Sequence, residues 1–348
     1  MTLTVALVLA AVVVLAALAA HGWWSARRAL PRKAAGPLAG DALQRVEPTM
    51  GDLAPPSGGS EMALAAARRL GPEHNAKRID ALIDAIATLA VEAPVSGETV
   101  IAHLPPSRRA GAKPFQVEGL NTETALWEPP QAGAHYGELQ AGVQLANRSG
   151  ALNEIEYSEF VQKIQAFADA VGAVPDFPDM LDVAARAREL DAFASPHDAT
   201  LTVHLQANSV AWSVGYVRQC AEHHGFVPGT LPGRMVLPGA DEGAPPVLVL
   251  SFDAQAALAE EPQQSVVRRV TLSLDVAQTP EAAEPFALWQ QSIRALAESM
   301  DATPVDDDER PVTLQHYTTI ASELQTLYRA LEERDMAAGS AVARRLFQ

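Results

Sequence analysis

Residues 270–304 read VTLSLDVAQTPEAAEPFALWQQSIRALAESMDATP, and residues 141–175 read AGVQLANRSGALNEIEYSEFVQKIQAFADAVGAVP. The two align without a gap at a constant offset (141 to 270, 175 to 304). Ala141, Val143 and Leu145 fall on Val270, Leu272 and Leu274. Tyr157, Phe160, Ile164, Phe167 and Val171 fall on Phe286, Trp289, Ile293, Leu296 and Met300, and Pro175 falls on Pro304. The first set recurs every second residue, the period of a strand. The second recurs at steps of three and four, the period of a helix. Strand alternation, helical spacing and a terminating proline all survive one shift, which identifies an internal duplication of one α+β unit. Beyond the second copy Thr313 caps another helix, with Leu314, Tyr317, Ile320, Leu324, Leu327 and Leu331 on its apolar face. Val270 to Leu331 is therefore strand, helix, Pro-bounded turn and helix.

Working outward, the chain has 348 residues, 48% of them hydrophobic. With the N-terminus set aside, that suits two domains of ordinary size, each burying its own core. The net charge of −16 repels phosphate backbones and argues against a nucleic-acid partner. Cys220 is the one cysteine, so an intrachain disulfide and a Cys-rich zinc site are both excluded. Its setting, Tyr216 to Ala221, reads as a helix with a small buried thiol.

Thr2 to Ala20 carries no charge and is long enough for one bilayer crossing. His21, Gly22, Trp23 and Trp24 follow, the tryptophans suiting the headgroup zone, then Arg27, Arg28, Arg32 and Lys33. A cleaved signal peptide is the competing reading, since Ala17-Leu18-Ala19-Ala20 resembles a cleavage site. Signal peptides, however, carry their positive charge before the apolar run, and here all of it lies after. Residues 1–24 are read as an uncleaved anchor with its N-terminus outside and the bulk of the chain in the cytoplasm. Residues 25–77 form a basic boundary and a Pro/Gly/Ala-rich linker.

The fold class expected is α+β: two tandem antiparallel-sheet units, residues 78–195 and 196–338, each with its helices on one face. In the first, strands are expected over Ile79–Val91, Lys113–Leu120 and Leu139–Ala146, a Ser96-capped helix to Leu104, and helices over Tyr157–Val171 and Phe177–Phe193. In the second, Thr200–Ala207, Pro246–Asp253 and Arg268–Ala277 are strands. Val210–His224 is a helix stopped by Gly225, Phe226–Leu237 is irregular extended chain with Pro228 and Pro232, and Thr279-Pro280 opens a helix as N-cap and N1. The tail after Asp335 reads as frayed. A sheet with one apolar face takes its helices there and leaves the other face open to solvent or a partner.

Nothing here assembles chemistry. There is no phosphate-binding glycine loop, no metal-ligand spacing of Cys or His and no nucleophile elbow. The reading is of a non-enzyme without cofactor or metal. His223-His224 complements a helix C-terminus and frays into solvent. Asp306-Asp307-Asp308-Glu309 is a solvated turn. Arg108 and Arg109 are solvated loop residues. Asp80 and Asp84 are either an edge device against aggregation or polar contacts across the units.

Two stretches resemble a known family. His21-Gly22-Trp23-Trp24-Ser25 with Arg27-Arg28 is similar to the membrane boundary of the ZipA family of bacterial cell-division proteins. Ser292 to Glu298, Asp306 to Arg310 and Thr313 to Tyr317 resemble the end of that family's FtsZ-binding domain. The resemblance spans the anchor and roughly Thr200–Leu331. It implies a bacterial inner-membrane protein, single-pass, at the division site. Its open sheet face would take the C-terminal peptide of FtsZ and so tether the division ring, with no catalysis and no cofactor. Carried over by position, the partner-binding residues are Thr200, Thr202, Leu231, Phe252, Ala254 and Ser273. The family pattern has bulky apolar side chains at most of these places, and here only Leu231 and Phe252 are large. The alternative reading is an envelope or division scaffold that self-associates or binds other membrane proteins without binding FtsZ.

Overall fold

A computed structural model describes residues 79–239, 244–259 and 265–348. The anchor read at residues 1–24 and the linker at 25–77 lie outside the described residues. Among the described residues no helix is long and apolar enough to cross a membrane. The chain divides into two compact α+β units. One contains residues 79–197 together with Arg344–Gln348, the other residues 198–343.

In the first unit, strand β1 (Asp84–Ser96) leads into helix α1 (Gly97–His103). Strands β2 (Arg109–Ala110), β3 (Lys113–Asn121), β4 (Trp127–Glu128) and β5 (His135–Gln144) follow, then the short pair β6 (Ala146–Asn147) and β7 (Gly150–Ala151). Helix α2 (Glu154–Val171), strand β8 (Ala173–Asp176) and helix α3 (Met180–Ala194) close it. The sheet runs β2-β3-β5-β1-β8, with β4 on β3, and every pairing is antiparallel. Ala85, Ala87, Leu89, Leu139, Ala141, Val143, Phe115 and Val117 alternate onto one face and are buried, as are Tyr157, Phe160, Ile164 and Phe167 of α2. Phe115 meets Phe160 edge to face at 5.6 Å, so α2 covers this side. Asn153 starts α2 with a full capping box to Glu156, and Gly172 ends it in the left-handed conformation (φ 71°).

The second unit opens with β9 (Thr200–Ala207), β10 (Trp212–Ser213) and helix α4 (Val214–His223). Strands β11 (Val227–Pro228), β12 (Arg234–Leu237) and β13 (Leu248–Ser251) lead to the short helix α5 (Ala254–Leu258). Then come β14 (Val266–Val267), β15 (Arg269–Asp275), helix α6 (Pro285–Met300), β16 (Ala302–Val305) and helix α7 (Leu314–Glu332). Its sheet runs β11-β12-β13-β15-β9-β16, again antiparallel throughout. Val203, Leu205, Leu250, Val270, Leu272 and Leu274 are buried in one core with Trp289, Ile293, Leu296 and Met300 of α6 and Leu324 and Tyr328 of α7. Helix α8 (Ala341–Leu346) ends the chain's regular structure.

The repeat is legible in the ladders. β5 and β15 are paired copies, and so are β8 and β16, the latter spanning residues 173–176 and 302–305. In each unit the central copy is flanked by the unit's first strand, β1 or β9, which also pairs with the short copy.

Five expectations need correction. The first strand begins at Asp84, not Ile79: Asp80 closes a turn, accepting from the Ile83 and Asp84 amides at 3.1 and 2.8 Å. The helix expected from Val210 begins at Val214 with Ser213 as N-cap, because Trp212-Ser213 pairs with Val267-Val266. Phe226–Leu237 is extended as expected but regular in part, since Val227-Pro228 and Met235-Val236 pair as the hairpin β11–β12. Thr279 does not cap α6: it is buried and its hydroxyl donates to Asp275 O at 2.8 Å, a short 3₁₀ turn intervenes at Glu281–Ala283, and Pro285 takes the first helical position. The tail after Asp335 is ordered. Met336 is buried, and Leu346 and Phe347 are 1% exposed, because the tail carries apolar side chains that find a core.

Candidate functional site

Helices α4, α6 and α7 hold the apolar side chains Val217, Ala221, Trp289, Ile293 and Leu324 in the core beneath the second unit's sheet. Alternation then sends every other strand residue to the uncovered face. Thr202, Ser273, Val249 and Val236 stand side by side there in one row across β9, β15, β13 and β12. The Ser273 hydroxyl donates to Val249 O at 3.3 Å. Thr200 lies beside Asp275 two residues further along β9. Thr200 and Thr202 are exposed, while Ser273, Val249 and Val236 are half-buried.

Leu231, Phe252 and Ala254 sit elsewhere. The Phe252 amide donates to Gly233 O at 2.8 Å, and the Arg234 amide donates to Leu231 O at 3.2 Å, which gathers the β12 turn beside the end of β13. Ser251, one residue before Phe252, shares its row with Thr271 and His204. Thr200 is four residues up β9 from that row, roughly 13 Å at the usual rise of a strand. Leu231 is 57% exposed, Ala254 is exposed, and Phe252 is half-buried against the core. The six predicted residues thus form two clusters: Thr200, Thr202 and Ser273 on the sheet face, and Leu231, Phe252 and Ala254 at one end of it. Gly233 makes the turn possible. It has φ +74°, and a Cβ there would lie 2.5 Å from Phe252 O.

Val236 and Val249, not picked out from the sequence, supply the apolar part of the row. Val236 lies between Met235 and Leu237, so its segment has no polar alternation from which to read a face.

Polar pairs close the lower end of the face. His204 bonds Thr271 Oγ1 through Nδ1 and Asp307 Oδ1 through Nε2, both at 2.9 Å. Arg269 reaches Gln206 through Nε and Glu309 through Nη2. The acidic run is exposed, Asp307 at 83%, yet it is tied back to the sheet by these two pairs. Among the described residues no group of three or more His, Cys, Asp or Glu could hold a metal ion. His224 does not fray: Nε2 bonds the Ser299 hydroxyl at 2.7 Å, and burial, with a smaller contribution from His223, holds its imidazole below the ordinary histidine value.

On the other side of this unit, a cleft of about 690 Å³ lies between α6 and α7, lined by Phe286, Ile293, Arg294, Ala297 and Tyr317. It contains none of the six predicted residues.

In the first unit the face opposite α2 carries Asp84, Gln144, Gln140, Glu118 and Gly142. It is covered. Ile79 lies over Gly142, where a Cβ would meet its side chain at 2.6 Å, and the Ile79 amide donates to Glu118 Oε1 at 3.0 Å. Arg345 pairs with the Asp84 carboxylate through Nη1 and Nη2 at 2.9 and 2.6 Å. Asp84 is therefore the buried half of an ion pair, and its partner belongs to its own unit rather than to the other.

No protein-family model and no curated protein matches the chain. Among solved structures it is similar to "Structure of FgChi7B" at 9% identity and a TM-score of 0.19, over 74% of this chain and 56% of that one. A superposition that poor carries no argument about fold or function.

Proposed function

We propose that this chain is a membrane-anchored peptide-capture protein. The uncovered sheet face of its second unit would hold the C-terminal tail of FtsZ and tether the division ring to the bacterial inner membrane, with the N-terminus periplasmic and both units cytoplasmic. The supporting observation is a partly exposed row, Val236–Val249–Ser273–Thr202, on the face opposite the described helices that pack into this unit's core. An extended apolar peptide gains about 25 cal/mol for each Å² it covers. Val236, Val249 and the exposed Leu231 give it that surface, and the threonine and serine hydroxyls give it polar partners. The peptide-binding residues on the face would be Thr200, Thr202 and Ser273, joined by Val236 and Val249, with Leu231, Phe252 and Ala254 at its end.

The test is fluorescence anisotropy of a labelled FtsZ C-terminal peptide against the full-length chain in nanodiscs. Leu231→Asp and Thr202→Arg alter exposed side chains and leave the core intact. Saturable binding that each change weakens by roughly tenfold or more is the expected result, equivalent to about 1.4 kcal/mol. No saturable binding would sink this reading and leave the scaffold alternative. Binding indifferent to both changes would remove the site from this face.

A further inference from the structure

We infer that the first unit is itself a peptide receptor, and that the chain's own Arg344–Gln348 occupies it. The ligand class is a short peptide with an arginine followed by two large apolar residues. This does not rest on the FtsZ reading, which concerns the second unit.

Four observations carry the inference. The last five residues leave the unit that precedes them in sequence and belong by their packing to the first. Arg345 lies 261 residues from Asp84 and meets it fork to fork, two N–H groups on two carboxylate oxygens, with the Asp84 side chain fully buried. That geometry reads an arginine rather than a lysine. Gln144 Nε2 donates to the backbone carbonyl of Arg345 at 2.6 Å, so the main chain of the segment is gripped as well as its side chain. Leu346 and Phe347, next along, are almost wholly buried.

The receptor side is prepared independently of the tail. The Asp80 amide donates to Asp84 Oδ2 at 2.8 Å, so the carboxylate is aimed by its own turn. Asp84 and Gln144 are opposite each other on β1 and β5. In the second unit the repeat places Ser273 at the position of Gln144, and Ser273 is opposite Thr202. The duplicated ladder position thus carries an acid and an amide in one unit and two hydroxyls in the other. An acid with an amide suits an arginine-bearing peptide. Two hydroxyls do not. The two units therefore present different chemistry at the same ladder position.

The experiment removes the tethered ligand and supplies it in trans. The full-length chain lacking residues 344–348 is titrated against a labelled peptide of residues 340–348, with folding checked by circular dichroism. Expected are saturable 1:1 binding, an apparent affinity for the intact chain at least roughly tenfold weaker, and a comparable loss when the peptide carries Arg345→Ala or the chain carries Asp84→Asn. Where the truncated chain does not fold, the intact chain carrying Arg345→Ala decides: its weakened tail should yield, and it should bind the unaltered peptide more tightly than the unmutated chain does. A folded truncated chain that ignores the peptide at about 100 µM, or an Arg345→Ala chain that binds it no better than the parent, overturns the inference. Binding of the FtsZ peptide, followed in parallel, reports on the other unit and separates the two outcomes.

Discussion

At the scale of single residues, His224 links local packing to a pH response. Its imidazole is half-buried at the end of α4, bonded to Ser299 and next to His223, and burial holds it below the ordinary value near 6.5. The folded chain therefore binds this proton less readily than the unfolded chain. Stability is full above the unfolded pKa and is lost as pH falls through the folded one. Thermal melts between pH 7.5 and 5.5 should show this loss. His224→Gln, which cannot titrate, should flatten the slope; an unchanged slope would remove His224 as the source. Lys113 illustrates what a sequence hides. It reads as an ordinary strand residue, yet it is 1% exposed, with Nζ donating to Asn147 Oδ1 at 2.7 Å. Desolvation lowers its pKa, and Glu156 and Asp191 only partly offset that.

At the scale of elements, the β12 turn determines whether the candidate face has an apolar end. Gly233 adopts a left-handed conformation against the Phe252 carbonyl, and that contact joins Leu231 to the end of β13. Gly233→Ala meets both an unfavourable φ and a backbone clash, for a cost of roughly 1–3 kcal/mol. The expected result is a lower melting temperature together with weaker FtsZ-peptide binding. A variant that melts and binds like the parent would show that this turn does not shape the site. The helices were legible where period and caps agreed. The spaced positions Tyr157, Phe160, Ile164, Phe167 and Val171 are the buried face of α2, and Ser96 caps α1 as expected, accepting from the Thr99 amide at 3.3 Å. Where a two-residue ladder intervenes, as at Trp212-Ser213, helical spacing overran the true start, because a partner strand at Val266-Val267 claimed the backbone first.

At the scale of the whole molecule, the units are not two consecutive pieces of chain. The first is completed by residues 344–348. Deleting them should raise amide exchange in β1 and β5, where Asp84 and Gln144 lose their partner, while β15 and β9 keep their protection. Hydrogen-exchange mass spectrometry checks this, and equal deprotection of both sheets would contradict it.

The repeated strand and helix and the antiparallel α+β class were legible in the sequence. Each of these follows from a local period, and the physics of burying one face needs no knowledge of distant partners. The expectation of helices on one face alone fails in the first unit, where Arg345 of α8 reaches Asp84 and Gln144 on the face opposite α2. The sequence could not determine what lies on the opposite face. Thr202 and Ser273 could be placed together from alternation, but Leu231, Phe252 and Ala254 were separated from them only once strand register placed them at another end of the sheet. Nor could it show that Arg345 answers Asp84. An ion pair spanning 261 residues leaves no periodic trace, and only the folded chain brings the buried Asp84 carboxylate and Arg345 within 2.6 Å. The folded chain seats its own Arg345 on one sheet face and, among the described residues, leaves Thr200 and Thr202 exposed on the other, because long-range packing and not local period selects what covers a face.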